Sequence, residues 1–371
     1  MQKVQPVVEL PPFYCPIQGA IHPHTDHLRR RSEEWMHGYG FCPDAASLQF
    51  VRSFNSADFV GRMAPHGLLD PMQVLTDWCN LGFVIDERFD RIPLARSDRN
   101  VLAEAAELAV KLVRTFETPG AGLLTTSPFG APLEDLATRM HRMTTPSQRR
   151  RIVEGTHLWA SALVWEVADH ARPEPPSLND YTTQRQQTIG GALFTSWIDT
   201  LTGVEVPASE MDHPSVRALT EITGLIVGID NDLFSYANDL WFHQNQGVTL
   251  RNFATVLAAE GGCTTDQALR EVTWMRNRLT ALFLALRDQL TERHRPRAGS
   301  ALRNYMRHLG YLIRGNLDYY GVTDKYRNPD GRSPDTLLRV AYRFTSKPPD
   351  NASEPLPIPT ISWWWDQLAT A

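Results

Sequence analysis

Two stretches of this 371-residue chain set oxygen-bearing side chains at helical spacing beside apolar residues. The first runs Trp78-Cys-Asn-Leu-Gly-Phe-Val-Ile and ends in Asp86-Glu87-Arg88-Phe89-Asp90. Asp86 and Asp90 are four residues apart, so in a helix they share a face, with Phe83 and Gly82 one turn earlier. Two exposed carboxylates so placed repel by roughly a few tenths of a kcal/mol, and a divalent cation reverses that sign. The second stretch reads Gly228-Ile-Asp-Asn231-Asp232-Leu-Phe-Ser235-Tyr-Ala-Asn-Asp239. Here Asn231, Ser235 and Asp239 recur at i, i+4 and i+8, an amide oxygen, a hydroxyl and a carboxylate in one line. Hard oxygens of this kind suit Mg²⁺, which keeps waters and shares substrate phosphates rather than filling a protein cage. Each stretch alone also has a plain reading. The first could be a solvated helix end with Arg88 and Arg91 as partners, the second a polar stripe or an interhelical hydrogen-bond network.

The elements that must carry these groups are helices. Amphipathic or nearly apolar helical patterns run near 26–38, 71–91, 98–116, 147–171, 178–201, 214–243, 265–292 and 299–321, and convincing strand alternation is absent. Pro71 sits at a helix start, where its missing N–H does no harm. Ser177 and the Asp212-His-Pro214 run offer N-capping oxygens, and Gly190-Gly191 should bend or break the 178–201 pattern. No Gly/Ser linker divides the chain. It reads as a Pro-rich arm over 1–25, one helical domain over 26–345, and a Pro/Trp-rich tail over 346–371.

Composition excludes several classes. Lys plus Arg total 37 against 42 Asp plus Glu, a formal net charge of −5, which argues against binding nucleic acid through bulk positive charge. Cys15, Cys42, Cys79 and Cys263 lack disulfide or zinc spacing, so reduced thiols in a cytoplasmic protein are expected. Met1–Pro12 does not read as a signal peptide. The apolar runs Leu158–Trp165 and Gly224–Ile229 fall well short of the roughly 18 residues a bilayer span needs.

The two clusters, about 145 residues apart, together resemble the bacterial class I terpene synthases, which carry a D-D-x-x-D-type motif and a downstream N-D-x-x-S-x-x-x-E triad. Glu87 replaces the second Asp of the first motif, and Asp239 replaces the final Glu of the second. Arg185, upstream of the Gly190 break, stands where that family has a diphosphate-sensing Arg. Gly315-Asn316-Leu-Asp-Tyr319, followed by Asp324-Lys325-Tyr326, resembles its G-N-x-x-W segment and Arg-Tyr pair, with Tyr for Trp and Lys for Arg. Leu10-Pro-Pro-Phe13-Tyr-Cys-Pro16 resembles its N-terminal arm. The likeness covers about residues 10–330.

This resemblance implies an all-α bundle of the class I terpenoid synthase type with a central apolar cavity. The 71–91 and 214–243 helices would face each other across it, acidic ends at one mouth. It implies three Mg²⁺ ions on Asp86, Asp90, Asn231, Ser235 and Asp239, and an isoprenyl diphosphate held by Arg185, Lys325 and Tyr326. Thr188 would be the linker, and Ile189 the effector through its backbone carbonyl. Phe83 is the foremost aromatic to face a carbocation, followed by Tyr319, then Phe194, Trp197 and Tyr311. Farnesyl diphosphate is the expected substrate and geranylgeranyl diphosphate the second. A prenyl-elongating enzyme of the same fold typically carries two D-D-x-x-D motifs, which the triad here disfavours. The rival from another class is a non-catalytic diphosphate-binding scaffold. Partners are otherwise limited to a second copy of the chain, with no nucleic acid and no stable membrane insertion. His22, His24 and His27 read as a surface loop, Arg149–Arg151 as a solvated helix start, and Trp363–Trp365 as a C-terminal cover.

Overall fold

The computed structural model describes residues 8–90, 99–170, 172, 174–293, 301–327, 338 and 340–369. Among them the long helices fall where the periodicity puts them. These are α1 (Thr25–Gly38), α4 (Leu69–Asp90), α5 (Arg99–Glu117), α7 (Pro146–His170), α12 (Pro214–Gln246), α14 (Thr265–Arg293) and α15 (Ala301–Tyr320). The 178–201 pattern is three pieces, α8 (Leu178–Thr188), α9 (Gly191–Ser196) and α10 (Ile198–Thr202). Six further helices escape the periodicity, α2 (Ala45–Phe54), α3 (Ser56–Met63), α6 (Gly130–Met143), α11 (Ala208–Met211), α13 (Phe253–Gly261) and α16 (Pro359–Ala369).

Local chemistry explains the boundaries. Ser177 caps α8 by accepting from the Asp180 N–H, as its type and place suggest. At α12 the expected cap is corrected: the His213 ring nitrogen, not an Asp212 oxygen, accepts from the Ser215 N–H at 3.2 Å. The break between α8 and α9 falls at Gly190, whose φ of +75° favours glycine. Next to it, Gly191 lies against Gly224 of α12; a Cβ on Gly191 would come within 2.8 Å of the Gly224 Cα. That close approach seats the broken helix directly on α12.

One buried apolar cluster runs from Leu10 to Trp365. Within it α12 packs on α14, α15, α9 and α8, α5 packs on α7, and α3 packs on α15. Both chain ends join the bundle. Val8–Glu9 (β1) and Phe13–Tyr14 (β2) pair in parallel with Val340–Ala341 (β3) and Phe344–Thr345 (β4). Helix α16 buries Trp364 and Trp365, and the Trp364 indole donates to Glu221 at 2.9 Å. Trp363 lies beneath the Arg217 guanidinium, 5.3 Å from its ring centroid. No helix among the described residues is long and apolar enough to cross a membrane, and all four cysteines are free thiols.

Two surface readings need correction. His24 and His27 are exposed, but His22 is buried, with its N–H on the Gly61 carbonyl. Of the Arg149–Arg151 run only Arg150 is exposed. Arg149 donates to the carbonyls of His141 and Thr144, and Arg151 pairs with the buried Asp199 at 2.8 Å.

Candidate active site

A cavity of about 230 Å³ opens between α4, α7, α8, α9, α12 and the segment after α15. Its wall is aromatic and aliphatic toward Trp78, Phe83, Trp159, Leu193, Phe194 and Phe242, and charged toward Asp86, Arg185, Asp239 and Lys325.

On the α12 side the polar groups form one network. Asn231, Asp232, Ser235 and Asp239 all line the cavity. Arg185, reaching across from α8, donates Nε to Asp232 Oδ1 at 2.8 Å, Nη2 to Asn231 Oδ1 at 2.5 Å and Nη1 to Thr188 Oγ1 at 3.1 Å. Asp232 also accepts from the Tyr181 hydroxyl and the Phe253 N–H, each at 2.8 Å. The Asn231 amide is fixed from its other end, where Nδ2 donates to the hydroxyls of Tyr320 and Tyr326, both at 2.9 Å. Ser235 donates to Asp239 at 2.6 Å. Beside Arg185, α8 stops at Thr188; the Ile189 carbonyl at the break accepts no hydrogen bond among the described residues.

On the opposite side α4 delivers Phe83, Asp86 and Glu87. Lys325 stands 3.4 Å from Glu87 Oε1, and its ammonium lies 4.3 Å from the Phe83 ring centroid. Asp90 is the last residue of α4; its side chain, and Arg91, lie outside the described residues.

Burial sets the charge states. The Asp239 carboxyl is pushed up to about 6 by desolvation, against the Ser235 hydrogen bond. Glu166, on α7, is pushed up to about 7 by desolvation, with Arg185 opposing and Asp86 and Asp232 adding to the rise. Burial works against the Arg185 charge, but Asp232, Tyr181 and Glu166 outweigh it and raise its affinity for the proton.

The residues present fit divalent cations. Five acids line the cavity (Asp86, Glu87, Glu166, Asp232 and Asp239) against three cations (Arg185, Arg251 and Lys325). Asn238, buried on the same wall, has an Oδ1 with no hydrogen-bond partner among the described residues. The donors toward the opening are hard oxygens, the set that Mg²⁺ prefers.

The cavity thus brings together Phe83, Asp86, Arg185, Thr188, Ile189, Phe194, Asn231, Ser235, Asp239, Lys325 and Tyr326. Three expected aromatics lie elsewhere. Trp197 is fully buried in the core behind the wall. Tyr319 turns its hydroxyl to the Phe54 carbonyl at 2.5 Å. Tyr311 faces a separate surface cleft beside Arg303 and Arg307. Helical phase explains the misses, because a residue near the right place in sequence faces the cavity only if its angle on the helix agrees. Sequence reasoning also missed Trp78, Trp159, Glu166 and Asp232. A usable signal existed for Trp78, which stands at i, i+4, i+8 with Gly82 and Asp86. Trp159 and Glu166, seven apart on α7, share a face in the same way. Nothing in the sequence marked Asp232 as the partner of Arg185.

A broken helix carrying an arginine, packed against an oxygen-lined helix and opening on an aromatic cavity, defines a class I isoprenoid-diphosphate fold. The family model described as terpene synthase family 2, C-terminal metal binding, matches residues 77–281, and the chain belongs to the terpene synthase family. It is 35% identical over 360 residues to phomopsene synthase of Allokutzneria albata, covering 97% of both chains. It is 31% identical over 365 residues to diterpene cyclase DtcycA of a Streptomyces species, covering 97% of this chain and 96% of that one. A crystal structure of the SVS_A2 protein from ancestral sequence reconstruction superposes with a TM-score of 0.78 at 32% identity, covering 96% of this chain and 98% of the other.

Proposed function

We propose that this terpene synthase uses Mg²⁺ to ionise a linear isoprenyl diphosphate and cyclises the resulting carbocation, releasing diphosphate. The observation that carries the reading is the charge of the cavity beside its aromatic wall. Even with Glu166 holding its proton, four acids face three cations, so the cavity has no surplus positive charge to hold a diphosphate unless metal ions come with it. Asp86, Asn231, Ser235 and Asp239 would hold those ions, three of them on the family pattern, with Asp90 alongside. When bound they supply charge neutralisation and Lewis acidity at the diphosphate oxygens.

The chain's own residues do the rest. Arg185 spends Nη2 on Asn231 Oδ1; turning that N–H to a diphosphate oxygen also exposes Asn231 Oδ1 as a ligand. Tyr326 is held beside it on the same amide and provides a second donor. Lys325 covers the Phe83 face at 4.3 Å, and drawing its ammonium toward the diphosphate uncovers a ring that can stabilise a carbocation by roughly 0.5–2 kcal/mol. The Ile189 carbonyl, at the helix break on the cavity wall, would supply partial negative charge to the start of the reaction path. Trp78, Trp159 and Phe194 shield the cation from water.

Farnesyl diphosphate, giving a sesquiterpene, is the first substrate to test. The identity to a diterpene cyclase favours geranylgeranyl diphosphate as the second. Incubating the purified chain with each diphosphate and Mg²⁺, then identifying products by mass spectrometry, decides between them. Cyclic hydrocarbons or alcohols from one substrate support the reading. Longer linear diphosphates, or no turnover of either, would sink it.

A further inference from the structure

Behind Asn231, on the side of α12 away from the cavity, lies a buried polar cluster that the reaction as derived does not use. Asp230 is fully buried there, as is Arg276 of α14. Arg276 donates Nε to Asp230 Oδ1 at 2.8 Å and Nη2 to Oδ2 at 3.4 Å. Its remaining nitrogen, Nη1, donates to the Tyr14 carbonyl at 2.7 Å and to Thr280 Oγ1 at 3.0 Å. The guanidinium also lies 5.3 Å from the Phe13 ring centroid. The neighbouring Asn277 holds the same strand twice, accepting the Tyr14 N–H at 2.8 Å and donating to the Pro12 carbonyl at 2.9 Å.

A second, apolar line runs between the same two places. The Phe13 ring stacks on Phe234 at 5.6 Å. Phe234 stacks on Tyr320 at 4.7 Å, the planes 5° apart. The Tyr320 hydroxyl accepts from Asn231 Nδ2. The segment Pro12–Tyr14 therefore reaches Asn231 by two routes, through the backbone of Asp230 and through its amide nitrogen. If the segment only covered apolar surface, side chains without charge would serve, because a fully buried ion pair is expensive to desolvate. What the arrangement supplies is direction. With Nδ2 committed to two hydroxyls, Oδ1 can face only the cavity and Arg185.

We infer that the N-terminal segment is a working part of the metal–diphosphate site, with Phe13, Arg276 and Asn277 as positioning residues that hold Asn231 in its ligating orientation. This rests on the functional reading above. The test binds inorganic diphosphate in the presence of Mg²⁺ by calorimetry, with no turnover involved, and follows hydrogen exchange at the Phe13 and Tyr14 amides. Two variants are compared with the unaltered chain. Asn277→Ala frees the strand while leaving the Asp230–Arg276 pair intact. Phe13→Leu keeps the arm's hydrogen bonds and loses the ring's contacts, namely the stack on Phe234, the edge contact with Tyr342 and the packing against the Arg276 guanidinium.

In Asn277→Ala the Tyr14 amide should exchange at least about tenfold faster. In both variants the Kd for Mg²⁺-diphosphate should rise by about 10-fold or more, the usual cost of losing a group that orients a metal ligand. Faster exchange with an unchanged Kd would overturn the inference, and so would unchanged exchange in Asn277→Ala. If Asn277→Ala fails to fold, Phe13→Leu decides: a wild-type Kd there overturns the inference. An unaltered chain that binds no diphosphate with Mg²⁺ would instead remove the functional reading on which the inference stands.

Discussion

Arg185 donates to Asn231 Oδ1, and this contact governs what single substitutions should do. Asn231→Ala removes a proposed ligand oxygen and the anchor for Arg185 and both tyrosine hydroxyls. Ser235→Ala removes a proposed ligand and the hydrogen bond that steadies Asp239. Each should lower turnover by at least about tenfold, roughly 1.4 kcal/mol of barrier, with the helical circular dichroism signal intact. Wild-type turnover in either variant would return the Asn231-Ser235-Asp239 line to a structural role. Lys325 offers a sharper comparison. It replaces the Arg of the family pair, yet lies between Glu87 and the Phe83 ring, within reach of the opening. Lys325→Ala should slow turnover clearly, since hydrogen bonds from a charged donor are worth roughly 1.5–3 kcal/mol. Lys325→Arg should keep more activity than Lys325→Ala, because it retains the charge and adds a fork. Equal rates for Lys325→Ala and the unaltered chain would make this lysine a partner of Glu87 only.

At the scale of elements, the geometry depends on two glycines touching. Gly191 and Gly224 let the α8–α9 break rest on α12, and so carry Arg185, Thr188 and Ile189 to the line of Asn231, Ser235 and Asp239. A Cβ on Gly191 meets backbone, with the Gly224 Cα at 2.8 Å and the Gln186 carbonyl oxygen at 2.9 Å, neither of which can swing aside. Gly191→Ala should cost about 1–3 kcal/mol by overpacking, seen as a lower melting temperature, and should reduce activity by shifting Arg185. Unchanged melting and turnover would show that the helices part freely here. The sequence made the existence of this break legible, because Gly-Gly interrupts a helical pattern. It could not show that the partner was Gly224, 33 residues on. The same limit separates what was read from what was missed elsewhere. Long periodic helices such as α4, α12 and α14 stood out. Short ones did not, even where a capping box marked their starts, as at Asp44–Ser47 for α2 and Asn252–Thr255 for α13.

At the scale of the whole molecule, a charge buried outside the cavity shapes stability. Asp199 is buried beside Arg151, and its Oδ1 has no hydrogen-bond partner among the described residues. Desolvation pushes its carboxyl up to about 6, with Arg151 opposing. Between pH 4 and 6 the unfolded chain therefore loses a proton that the folded chain keeps. Folding stability should fall with rising pH across that window, by up to about 3 kcal/mol from this group. Asp199→Asn should flatten the slope in pH-dependent denaturation, and an identical slope would contradict the assignment. Under the proposed function the cavity follows the same principle, since its acids would be tolerable when cations accompany the substrate. The two oxygen-bearing stretches that line the cavity were legible because helical spacing fixes them locally, whereas Glu166, Asp232 and the arm's contact with α12 depend on contacts across the bundle. The most direct test of the account is inorganic diphosphate release from a farnesyl or geranylgeranyl substrate, measured with Mg²⁺ and again in EDTA. The account predicts release matched by cyclic product with Mg²⁺ and none in EDTA. Undiminished release in EDTA, or products that keep their diphosphate, would contradict it.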